Sequence, residues 1–107
     1  MSEAALRRAA RHDGWVSDLM TSEELGDSWR RIDELRREAG TSDRPFAVVG
    51  SCKDVNGIDG YRRLTELGVT DLLTMPWVFY SGFTDDLSKK IDGINRFAED
   101  VLLRLQD

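Results

Sequence analysis

The chain has 107 residues, 40% hydrophobic and 33% charged, which fits one folded domain or less and excludes a disordered polar chain or a two-domain protein. Its net charge of −5, from 15 basic and 20 acidic residues, opposes the electrostatic attraction on which nucleic-acid binding rests. No apolar run nears the ~20 residues that span a bilayer, the N-terminus has no signal-peptide apolar region, and Cys52 and His12 stand alone as soft ligands. A cytoplasmic protein with no structural zinc, no internal disulfide, no membrane partner and no nucleic-acid partner is the expectation.

In chain order, a first helix is expected over about residues 3 to 12. It carries Arg7, Arg8 and Arg11, read as a solvated or salt-bridged face in preference to a phosphate-binding patch. A short strand follows at Gly14 to Ser17. Thr21 and Glu24 then make a capping box, flanked by Met20 and Leu25 at the positions of a hydrophobic staple. Leu25, Trp29, Ile32 and Leu35 recur at steps of three and four, and Gly40 stands where a left-handed cap would fall, so a helix is expected over about 22 to 39.

Phe46 to Gly50, FAVVG, is a continuous apolar run, the pattern of a strand buried on both faces of a parallel sheet. A shorter helix with Ile58, Tyr61, Leu64 and Leu67 on one face stops at Gly68, and Val69 to Met75 is the third strand. The aromatic-rich stretch Thr74 to Asp86 reads as a loop. Thr84 is expected to cap a last helix of about six turns that buries Leu87, Ile91, Ile94, Ala98, Val101, Leu102 and Leu105. The alternation predicts parallel strands joined by right-handed crossovers. Three such strands are a poor independent domain, because their faces and edges need cover. No G-x-G-x-x-G or P-loop spacing stands at any strand-to-helix turn.

The segments RRAARHDGW (Arg7 to Trp15), PFAVVGS (Pro45 to Ser51) and GYRRLTELGVTDLLTMPW (Gly60 to Trp77) resemble the C-terminal part of the luciferase-like oxidoreductases. The likeness is greatest to members that use the deazaflavin coenzyme F-420, and it covers nearly the whole chain. The resemblance implies an α/β fold: a partial (β/α)8-type barrel over residues 1 to 107, three parallel strands alternating with four helices, about the last third of the whole. It further implies hydride transfer or monooxygenation with F-420 or FMN, the ring lying at the C-terminal ends of the strands. The family's glycine-containing phosphate segment lies upstream of this type of first helix, so the isolated chain is expected to hold no complete cofactor site. A homo-oligomer or a complementing barrel subunit is expected to complete it.

On that model Ser51 and Thr74 could hydrogen-bond a ring edge, while Trp77, Phe79 and Tyr80 either pack on a flat cofactor or close the top of the core. No catalytic residue is assigned. His12 precedes the first strand and belongs at the opposite, stability face. Cys52 reads as a small buried hydrophobe rather than a nucleophile, and Asp71, inside an apolar strand, calls for an ion pair or a helix-terminus contact. The alternative to an enzyme is a noncatalytic half-barrel that serves as an oligomerisation or interaction module.

Overall fold

A computed structural model of the chain describes residues Ser2 to Leu105. Helix α1 (Glu3–Ala10) begins where the Ser2 hydroxyl accepts the amide of Ala5, and leads into strand β1 (Gly14–Val16). Helix α2 (Ser22–Ala39) has the expected ends: Thr21 Oγ1 accepts the Glu24 amide at 3.1 Å, and Gly40 closes the last turn at φ 74°. Strand β2 (Ala47–Gly50), helix α3 (Gly57–Glu66) and strand β3 (Asp71–Leu72) follow.

The three strands form one parallel sheet in the order β1-β2-β3, with Trp15 opposite Val48, Val16 opposite Val49, and Val49 opposite Asp71. Alternation along each strand sends Trp15, Val48 and Leu72 to one face and Val16, Ala47, Val49, Asp71 and Leu73 to the other. The first face is covered by helices. Trp15 and Val48 are buried there with Leu25 and Ile32 of α2 and Tyr61 and Leu64 of α3. Each such aliphatic side chain contributes about 1.5–3 kcal/mol by leaving water.

The other face is bare. Val16 is 61% and Leu73 56% exposed, and Ala47 and Asp71 are exposed beside them. The continuous apolar run of β2 therefore does not mark burial on both faces among the described residues. Its second apolar face stands open, with Val49 half-buried between Val16 and Asp71. Asp71 correspondingly has no buried charge to neutralise; its carboxylate accepts a hydrogen bond from Thr70 Oγ1 at 2.7 Å.

The C-terminal part departs most from expectation. The stretch read as a loop contains a five-residue helix, α4 (Trp77–Ser81), which starts on Pro76 at φ −55°, a geometry proline already holds. The next helix, α5 (Leu87–Phe97), is capped by Asp86, whose carboxylate accepts the Lys89 amide, rather than by Thr84. Thr84 Oγ1 instead accepts the amide of Asp86, a local turn that delivers the true cap. A π-helical turn (Ala98–Leu102) and a last helical turn, α6 (Leu103–Leu105), complete the described chain.

The buried stripe is only partly the expected one, with Val101 buried and Leu105 half-buried against the core. Helix α5 docks through Gly93 and Phe97, and the π turn through Val101, whereas Leu87, Ile91, Ile94 and Leu102 are exposed. Gly93 explains the change, since a Cβ there would overlap the backbone and Cβ of Trp77. Helix α4 thus packs on α5 backbone to backbone, and Phe97 meets Tyr61 edge to face at 5.8 Å.

Candidate functional site

The C-terminal ends of β2 and β3 open into a cavity of about 140 Å³ beneath α4. Its walls include Gly50, Ser51, Cys52, Tyr61, Thr74 and Phe79. Ser51 leaves β2 with its amide donated to Ser17 Oγ, and the buried Ser17 hydroxyl is in turn hydrogen-bonded to the Val49 carbonyl. These bonds tie the ends of β1 and β2 together after their ladder stops, and an isolated bridge between Met20 and Cys52 extends the tie. Thr74 arrives from the end of β3, and Tyr61 from the first half of α3.

Of the four residues predicted to hold a cofactor, the structure brings Ser51 and Thr74 into this one cavity. Trp77 and Tyr80 point elsewhere. Trp77 packs against Gly93, with Lys90 Nζ 5.4 Å above its ring. Tyr80 donates its hydroxyl proton to Asp100 Oδ2 at 2.8 Å beneath the guanidinium of Arg96, 4.5 Å from the ring centre. Both serve the contact between α4 and the C-terminal helices. Phe79, half-exposed, is the aromatic of that stretch that faces the strand ends.

Electrostatics favours the neutral forms of Cys52 and Tyr61 in the cavity and of Tyr80 beside it. Desolvation, followed by the charge of Asp54, pushes the Cys52 thiol up, so it is a poor nucleophile at neutral pH. Desolvation also raises Tyr61, partly offset by its interaction with the Thr74 hydroxyl. Tyr80 rises through desolvation and its bond to Asp100. The cavity therefore offers the hydroxyl groups of Ser51, Tyr61 and Thr74 among apolar walls. Among the described residues no cluster of His, Cys, Asp and Glu could hold a metal. His12 lies exposed before β1, at the far end of the strands.

No protein-family model and no solved structure matches this chain. Uncharacterized proteins of Mycobacterium bovis and of two Mycobacterium tuberculosis strains are 38% identical to it over 106 residues, 97% of the chain. The chain spans 36% of the length of these relatives.

Tyr61 is the site residue that sequence reasoning assigned to packing alone. It belongs to the apolar stripe of α3 and is only 4% exposed, so the assignment is right as far as it goes. What marks it out is its hydroxyl: in a stripe otherwise composed of Ile58, Leu64 and Leu67, one polar atom must find a partner or a cavity.

Proposed function

We propose that these residues are three consecutive units of a (β/α)8 barrel belonging to a luciferase-like oxidoreductase that uses F-420 or FMN. The observation that carries the reading is the bare, largely apolar face (Val16, Ala47, Val49 and Leu73 around Asp71) of a parallel sheet whose strands run in simple order with their helices on the other side. A doubly wound sheet covers both faces; a barrel covers one with helices and turns the other inward. Length agrees, since three βα units occupy 36% of the relatives and three eighths is nearly the same fraction. The resemblance of RRAARHDGW, PFAVVGS and GYRRLTELGVTDLLTMPW to that family supplies the chemistry, and the cytoplasm is the compartment that goes with it.

A cavity of about 140 Å³ is well below the ~300 Å³ at which small-molecule sites begin, so it cannot by itself enclose a tricyclic ring. In this reading Ser51, Thr74 and Phe79 form one wall of the site, and the other units or a second copy supply the rest. The bound deazaflavin or flavin would supply the hydride chemistry. These residues would hold a ring edge and keep water from it. Titrating a full-length mycobacterial relative with F-420 and with FMN tests this: the expected result is a spectral change and thermal stabilisation with one of them. Neither response at saturating cofactor would sink the enzymatic reading.

The exposed apolar side chains Leu87, Ile91 and Ile94 on one face of α5, with Leu102 exposed beyond it, favour a second reading, an interaction module that uses the same packing surfaces without cofactor. It predicts a stable oligomer of the chain and no response to either cofactor.

A further inference from the structure

A second cavity, about 230 Å³, lies at the opposite end of the sheet, where α1 ends, β1 begins and the α2–β2 connection returns. Its polar walls are Arg11, His12, Asp13, Arg36, Thr41 and Arg44. Arg7, Arg30, Arg31, Arg37, Arg62 and Arg96 all have carboxylate partners on the surface. Arg8, Arg11, Arg36, Arg44, Arg63 and Arg104 have no carboxylate within 4.0 Å among the described residues, and three of these six, Arg11, Arg36 and Arg44, line this cavity.

Arg36 is the decisive residue. It is 5% exposed, its Nη2 donates to the carbonyls of Thr41 and Arg44 at 2.9 and 2.6 Å, and its guanidinium stacks over Phe46 at 4.4 Å. A buried cation without a counter-ion is costly. Among the described residues Trp15 Nε1 is the buried side-chain polar atom without a partner, and Arg36 is not among such orphans. Arg36 lines the cavity, and no hydrogen bond from its Nε or Nη1 is made within the described residues. The opposing charges are Asp13, which pairs with none of the three arginines, and the carbonyl end of α2, two of whose neighbouring loop carbonyls Arg36 already occupies.

We propose that this cavity is a binding site for a phosphate group, free or as a phosphomonoester. Arginines from the end of α1, from α2 and from the α2–β2 connection line it, and several guanidinium forks suit the several oxygens of a tetrahedral dianion. A planar carboxylate engages one fork. The site lies at the N-terminal ends of β1 and β2, away from Ser51 and Thr74, so it stands or falls independently of the barrel reading.

The test is thermal stabilisation of the purified chain by inorganic phosphate and by phenyl phosphate, against sodium chloride at equal ionic strength. Saturable stabilisation is expected, weakened at least ten-fold in Arg11→Ala and in Arg44→Ala, both at exposed positions, and unchanged in Arg30→Ala. A response to phenyl phosphate at least equal to that of phosphate assigns an ester; a response to phosphate alone assigns the free ion. Stabilisation reproduced by chloride, or retained in full by Arg44→Ala, would overturn the proposal.

Discussion

Gly93 and Gly26 both sit inside helices, and the same substitution should act on them in opposite directions. Alanine gains about 1 kcal/mol over glycine in a helix interior when its methyl group has room. At Gly26 the new Cβ would sit 3.6 Å from Leu67 Cδ2, an ordinary contact, so Gly26→Ala should stabilise the chain by about 0.5–1 kcal/mol. At Gly93 it would meet the backbone of Trp77, which cannot step aside as a side-chain tip can. Because the clash is with backbone, overpacking at the upper end of its usual range, about 2–3 kcal/mol, outweighs the propensity gain of about 1 kcal/mol, and Gly93→Ala should lower stability by about 1–2 kcal/mol. Urea denaturation of the two variants checks both signs. Cys52 gives a second residue-scale prediction: alkylation by iodoacetamide at pH 8 should run several-fold slower than for an unstructured cysteine, because desolvation and Asp54 hold its thiol protonated. A rate equal to the free thiol's would contradict the environment described.

Among the elements, α2 was the most legible, because its signals are local. Thr21, Glu24 and Gly40 act on their own turns, and Leu25, Ile32 and Leu35 lie on the face that the spacing predicts. The last helix was the least legible. Leu87, Ile91 and Ile94 do share one face, as their spacing requires, but spacing does not say what meets that face. The contact runs instead through a glycine, and a reading that ranks large side chains as buried passes over it. Helix α4 was missed for a related reason: Val78 and the aromatics around it are indifferent helix formers, and its five residues are held by Trp77 packing on α5. The placement of Ser51 and Thr74 beside one cavity follows from their position at strand ends, whereas the turning of Trp77 and Tyr80 toward the C-terminal helices depends on a helix the sequence did not announce.

The start of α2 carries a pH dependence of its own. Asp54, after β2, accepts the Ser22 amide at 2.8 Å and the Ser22 hydroxyl at 2.9 Å, pinning the helix to the next connection. Desolvation pushes its carboxyl up, but the Ser22 bonds, its own amide and Arg63 together outweigh that and hold it below its ordinary value. A carboxyl depressed in the folded state contributes stability that is present above its unfolded pKa and lost as pH falls through the folded one. Asp54→Asn should therefore lower the urea midpoint at neutral pH, with the gap from the parent chain closing as pH drops through and below the ordinary aspartate range. A gap independent of pH would show that the carboxylate charge is not what tethers the helix.

At the scale of the whole molecule, the chain is extended: its Cα radius of gyration is 15.6 Å and its dimensions are 48 × 29 × 21 Å, where a compact domain of this size has a radius of about 13 Å. Its three-stranded sheet leaves one largely apolar face open, and α5 carries the exposed apolar side chains Leu87, Ile91 and Ile94, which is the arrangement that the proposed barrel would cover. Because Val16 and Leu73 touch little within these residues, Val16→Thr with Leu73→Gln should change the stability of this chain by less than about 1 kcal/mol. The corresponding changes in a full-length relative should cost several times more, as buried polar groups without partners do. The most direct test of the account is the strand arrangement in a full-length mycobacterial relative, determined by crystallography. The account predicts a closed ring of eight parallel strands with the counterparts of Val16, Val49, Asp71 and Leu73 facing inward; helices packed on that face, or an open sheet, would contradict it.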